Sequence, residues 1–125
     1  MLERIRRELA RVSAVHGALT IDPEFRWFIV NKWTLPFGWS KESTCVLILI
    51  PAGYAVTPPD NFWTDVDLCL SSGVPPGNTS IASPLDGQPW RQFSYHVEVA
   101  DWRPEGGDTL LTFLGGVGSR LREAS

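Results

Sequence analysis

Thr44-Cys45-Val46-Leu47-Ile48-Leu49-Ile50-Pro51-Ala52-Gly53-Tyr54-Ala55-Val56-Thr57-Pro58-Pro59-Asp60 is the stretch that decides how this chain folds. Its first seven residues form an almost unbroken apolar run, too short for a free-standing helix and rich in branched side chains, and are read as a buried strand. The strand stops where Pro51 removes a backbone donor. Gly53, Pro58 and Pro59 then impose an extended, irregular crossing in place of regular structure. Upstream, Phe25 to Trp33 is dense in aromatic and β-branched residues and reads as a second strand, joined to the first through the turn chemistry of Leu35-Pro36-Phe37-Gly38-Trp39. Downstream, Phe62 to Thr64 reads as a short third strand. Strands joined this closely form an antiparallel meander.

Outward from the meander, both ends read as helical. Leu2, Ile5, Leu9 and Val12 recur at helical spacing with arginines between them, so residues 2 to 13 are expected to form an amphipathic helix ended by Gly17. Asp108 is placed to cap a last helix whose Leu110, Leu111, Leu114, Val117 and Leu121 face the core. Gly115, Gly116 and Gly118 weaken that helix, which implies close packing against a neighbour. Residues 73 to 89 are rich in Gly, Pro, Ser, Asn and Asp and read as a long loop, either functional or a disordered spacer. From Phe93 to Val99 the pattern alternates, with Phe93, Tyr95, Val97 and Val99 on one side and Ser94, His96 and Glu98 on the other.

Composition bounds the rest. The chain has 125 residues, 43% of them hydrophobic, and six tryptophans; that suits one domain with one core. A net charge of −3 gives no electrostatic case for nucleic acid as a partner. The charged N-terminus does not read as a signal peptide, and no stretch is long and apolar enough to span a membrane. Two cysteines, Cys45 and Cys69, make neither a disulfide framework nor a zinc set, so a reducing cytoplasm is the expected location. Nothing in the pattern asks for a metal or an organic cofactor.

The ordered pieces Pro51-x-Gly53-Tyr54, Pro58-Pro59-Asp60-x-Phe62, Phe93-Ser94-x-His96 and Trp102-x-Pro104 before an apolar helix resemble the ubiquitin-conjugating E2 superfamily. The likeness is greatest to the divergent bacterial group called prokaryotic E2 family E. It covers almost the whole chain and implies an α+β, UBC-like fold, an E1-like adenylating partner, a ubiquitin-like modifier and a JAB-type peptidase in the same pathway. The association of that family with conjugation operons suggests antiphage defence. Two departures stand out. Ala55 occupies the place of the proline that usually follows the tyrosine, and there is no His-Pro-Asn tripeptide.

The position at which E2 enzymes carry their catalytic cysteine, counted back from Trp102, holds Ser94. A serine hydroxyl needs a base to become a useful nucleophile, and His96 lies two residues along on the same side of an extended segment. Glu98 or Asp101 is in reach, by sequence, to orient the imidazole. The plain alternative for Ser94 and His96 is a solvated strand edge. Cys69 is the second candidate acceptor, placed by alternation on the same polar face as Asp65 and Asp67, which disfavour a thiolate, and Cys45 is expected to be a small core residue. Arg4, Arg7 and Arg11 form one face of the first helix, which in E2 proteins contacts the activating enzyme, although such a face is also an ordinary solvated one. Three functions compete: an E2-like carrier that passes a modifier to an amine through an oxyester, an inert E2-variant scaffold that only binds a modifier or an E1-like partner, and, ranked last, a small-molecule binder or toxin-system accessory whose E2-like turn is coincidental.

Overall fold

A computed structural model describes residues 1–125. The order is helix α1 (Leu2–His16), strands β1 (Leu19–Ile21), β2 (Trp27–Thr34), β3 (Ser43–Leu49), β4 (Phe62–Thr64), β5 (Thr79–Ala82) and β6 (Trp90–Phe93), a 3-10 turn at Val99–Asp101, and helix α2 (Leu110–Leu121). The strands form one antiparallel sheet in the order β1-β2-β3-β4-β6-β5. This is an α+β architecture consistent with a UBC-like fold.

Alternation along the strands splits the apolar residues between the two faces of the sheet. Phe28, Val30, Val46, Ile48, Phe62 and Phe93 face the helices, where they join Leu9, Val12, Phe113, Leu114 and Val117 in the main core. The other face carries no helix. Leu47, Trp63 and Trp90 are buried there, ringed by the half-buried Trp27, Ile29, Cys45, Leu49 and Leu85.

The strands Phe25 to Trp33, Thr44 to Ile50 and Phe62 to Thr64 appear as expected, with only end residues differing for the first two. Three expectations change. The segment 73 to 89 is not all loop: Thr79–Ala82 forms β5 because its backbone pairs with β6, from Thr79 opposite Phe93 to Ala82 opposite Trp90. Local composition carries no sign of that long-range pairing. Of the strand expected over 93 to 99, only Phe93 belongs to β6, because Asn61 captures Tyr95 and the chain leaves the sheet. Finally, the cap of α2 is Thr109, which exchanges hydrogen bonds with Thr112 in a capping box. Asp108 instead accepts from the Arg103 N–H at 2.7 Å.

Two of the three glycines of α2 are explained by what lies on them. A Cβ on Gly116 would stand 1.7 Å from the Tyr95 hydroxyl, and one on Gly118 would stand 3.3 Å from the Trp33 ring, whereas Gly115 faces open space.

Candidate functional site

Tyr54 and Trp102, far apart in sequence, meet in the core. Both are buried, with ring centroids 6.5 Å apart, and the Trp102 indole N–H donates to the Ala55 carbonyl at 2.7 Å. The Tyr54–Ala55 peptide bond is cis. Glu8, only 6% exposed, reaches from α1 into this junction. Its carboxylate accepts from the Tyr54 hydroxyl, from the Leu110 N–H at 2.8 Å and from Arg4 Nε at 2.6 Å. Burial, followed by the bond to Glu8, pushes the Tyr54 phenol far above its ordinary range, so it is a fixed donor. Arg4 also donates to the carbonyls of Pro104 at 2.6 Å and Asp108 at 3.1 Å. One helix thus ties the proline turn to the Trp102-Arg103-Pro104 segment.

Between these anchors runs the exposed segment that starts at Ser94. Asn61 holds it: its N–H donates to the Tyr95 carbonyl at 2.7 Å, and its side-chain oxygen accepts from the Tyr95 N–H at 3.2 Å. Asn61 does so with φ 62°, a left-handed conformation that asparagine tolerates better than most residues. The Tyr95 ring packs edge-on against Phe62 and Phe113. Ser94, His96 and Glu98 point outward while Tyr95 and Val97 are half-buried, so the alternation read from the sequence persists where no strand partner exists. It fails at Val99, which is 69% exposed.

His96 is paired. Its Nδ1 lies 2.6 Å from Asp60 Oδ1, and both side chains are 66% exposed. With the carboxylate accepting from Nδ1–H, Nε2 is left as the basic nitrogen. The partner is Asp60 of the proline turn, and neither Glu98 nor Asp101 is hydrogen-bonded to the imidazole. A signal for Asp60 existed in the pairing of β4 with β6: carrying Phe62 opposite Phe93 outward by two residues sets Asp60 across from Tyr95, beside His96. The sequence does not supply that register. No hydrogen bond joins Ser94 to His96; the Ser94 N–H donates to the Asn78 carbonyl at 3.0 Å.

The chain belongs to prokaryotic E2 family E. Its family model matches residues 14–124, which include every strand, the proline turn, the Ser94–His96 segment and α2. No curated protein and no solved structure matches the chain. Membership makes this an E2-like protein of ubiquitin-like conjugation, a class that works with E1-like enzymes and ubiquitin-like modifiers.

In this family E protein, Cys69 is not joined to Ser94, His96 or Asp60 by any hydrogen bond. It is half-buried beside the Trp39–Leu70 bridge, where its backbone accepts from the Ser40 N–H and donates to the Ser40 hydroxyl. The neighbouring Asp65 and Asp67 are bridged by the single Lys41 ammonium at 2.7 and 3.0 Å. Cys45 is half-buried on the open face of the sheet, short of full burial, and burial, followed by Asp65, pushes its thiol upward. Of the three arginines, Arg4 is committed to internal bonds, while Arg7 and Arg11 are exposed and form no ion pair. They line a shallow hollow of about 440 Å³ that runs to Thr109.

Proposed function

We propose that this protein is an E2-like carrier that takes a ubiquitin-like modifier from an E1-like enzyme and passes it to an amine through an oxyester on Ser94. The observation that carries the reading is the Asp60–His96 pair, held at the exposed rim of the site two residues from the serine that stands at the E2 acceptor position.

The chemistry follows from the residues. Ser94 Oγ attacks the carbonyl carbon of the modifier's thioester on the E1-like enzyme; a C–O bond forms, the C–S bond breaks, and His96 Nε2 takes the hydroxyl proton as the thiolate leaves. In the second half an amine nitrogen attacks the ester carbonyl. The amide C–N bond forms, the C–Oγ bond breaks, and His96 relays a proton from the nitrogen to the departing Ser94 oxygen. Asp60 acts as a positioning residue: by accepting from Nδ1–H it fixes the imidazole tautomer and the ring's orientation. A rotation of the exposed Ser94 and His96 side chains, or one bridging water, closes the gap between them.

Arg7 and Arg11 are the docking cations of this reading, and Arg4 supports them by holding α1 against the site. A JAB-type peptidase that reverses the modification belongs to the same proposed pathway, and antiphage defence is its proposed setting.

Single-turnover charging, followed by intact mass, tests the roles. With a charged E1-like partner, His96→Gln and Asp60→Asn are expected to slow adduct formation by about 100-fold and about 10-fold respectively. Asp60→Glu, which keeps a carboxylate to accept from Nδ1–H, should in addition recover much of the rate that Asp60→Asn loses, which a purely structural effect would not do. Equal charging rates in wild type, His96→Gln and Asp60→Asn would remove the dyad from the mechanism. A competent E1-like enzyme that never adds mass to the wild type would leave the E2-variant scaffold as the function.

A further inference from the structure

Ser94 stands where β6 has just ended, and its backbone is held by a hydrogen bond from its N–H to the Asn78 carbonyl at 3.0 Å. The course of the chain through Ser94 thus depends on two neighbours, Phe93 before it and Asn78 across from it. Asn78 has no strand of its own to hold it. It takes φ 59° and follows Pro75-Pro76-Gly77, just outside β5.

Arg120, in the last turn of α2, reaches both sides. Its guanidinium carbon lies 5.1 Å from the centroid of the Phe93 ring, and Nη2 donates to the Gly77 carbonyl at 3.0 Å. The same fork donates to the carbonyls of Glu123 at 2.8 Å and Ser125 at 2.9 Å, and the Gly77 N–H donates to that Ser125 carbonyl at 3.1 Å. Every acceptor of this half-buried arginine is a backbone carbonyl. It is used for its shape, a planar set of donors that also stacks on a ring. On the other flank Arg91 donates to the Thr79 hydroxyl at 3.1 Å, which donates to the Pro76 carbonyl at 2.7 Å.

We infer that Arg120 is a positioning residue for the acyl acceptor: by clamping Gly77 against Phe93 it fixes the Asn78 carbonyl that holds the Ser94 N–H, and so keeps the Ser94 hydroxyl on the outward side that it shares with His96. The inference rests on the transfer reading above for its purpose. Attack needs the oxygen aligned with the carbonyl carbon, and a misplacement of about 1 Å can cost about 100-fold in rate. Docking is a separate matter. Arg120 lies at the opposite end of α2 from Thr109 and the hollow lined by Arg7 and Arg11, roughly 16 Å along the helix.

The test compares Arg120→Ala with Arg122→Ala, which removes a neighbouring exposed charge that bonds Ser119 instead. In the uncharged protein, hydrogen exchange read by NMR should show the Ser94 amide exchanging about tenfold faster in Arg120→Ala and unchanged in Arg122→Ala, with the Leu114 amide unchanged in both as a check on the fold. In single-turnover charging, Arg120→Ala should lower the maximal rate about tenfold while the half-saturating concentration of the charged E1-like enzyme keeps its wild-type value, a split that general loss of structure would not give. Arg120→Lys keeps the charge without the fork and should behave as Arg120→Ala does. Full recovery by lysine, an unchanged Ser94 amide or an unchanged maximal rate would each overturn the inference. A Ser94 amide that responds in a protein that a competent E1-like enzyme never charges would instead defeat the transfer reading while the clamp stands.

Discussion

Removing the Glu8 carboxylate leaves the buried Tyr54 hydroxyl and Leu110 N–H without their acceptor and takes the Nε partner from Arg4, which keeps its bonds to Pro104 and Asp108. Glu8→Ala is expected to cost about 3 kcal/mol in urea unfolding, because stranded buried donors cost more than the bonds themselves contributed. Trp102→Phe, which loses the bond to Ala55 together with part of the buried indole, should cost about 2–4 kcal/mol. At this scale the sequence spoke unevenly. Ser94 and His96 were legible as outward neighbours because alternation is a local property of extended chain. Asp60 and Glu8 were not, since each acquires its role from a partner dozens of residues away.

At the scale of elements, the glycines of α2 separate into working and idle positions. Gly116→Ala drives a methyl into the Tyr95 hydroxyl, so it should destabilise by about 1–3 kcal/mol and disturb the Ser94–His96 segment that Tyr95 anchors. Gly115→Ala meets nothing and should stabilise by about 0.5–1 kcal/mol, the ordinary gain in helix propensity. Thermal unfolding of the two variants checks both signs, and a stable Gly116→Ala would show that Tyr95 is free to move aside. The weak helix formers were visible in the sequence, and so was the need for a close neighbour. Which neighbour was not, because Tyr95 reaches α2 only after Asn61 has turned its segment off the sheet. The same limit hid β5, whose four residues become a strand only through β6.

For the molecule as a whole, the meander, the flanking helices and the family's motif order were readable because apolar periodicity and proline punctuation are written along the chain. The two-faced character of the sheet was only partly so: Phe62 to Thr64 read as a short strand with no sign of which side each residue takes, and its Trp63 turns out to build the face that no helix covers. Acid stability offers a global check. The Arg26 guanidinium, bound to the Asp22 carboxylate, holds that carboxyl below its usual range. The folded protein therefore binds this proton more weakly than the unfolded chain does. The contribution is complete above the ordinary carboxylate range and is lost as the pH falls through it. Asp22→Asn should thus be less stable than wild type at neutral pH and converge with it in acid, as followed by urea unfolding across pH; a gap that stays constant would contradict the account.

The most direct measurement is to locate the modifier itself. The protein, charged by its E1-like partner with a processed ubiquitin-like protein and ATP, is digested and its adduct site read by tandem mass spectrometry, with Ser94→Ala, Cys69→Ser and Cys45→Ser alongside. The account predicts a remnant on Ser94, resistant to mild thiol and lost only in Ser94→Ala. A thiol-sensitive remnant on Cys69, retained when Ser94 is replaced, would contradict it.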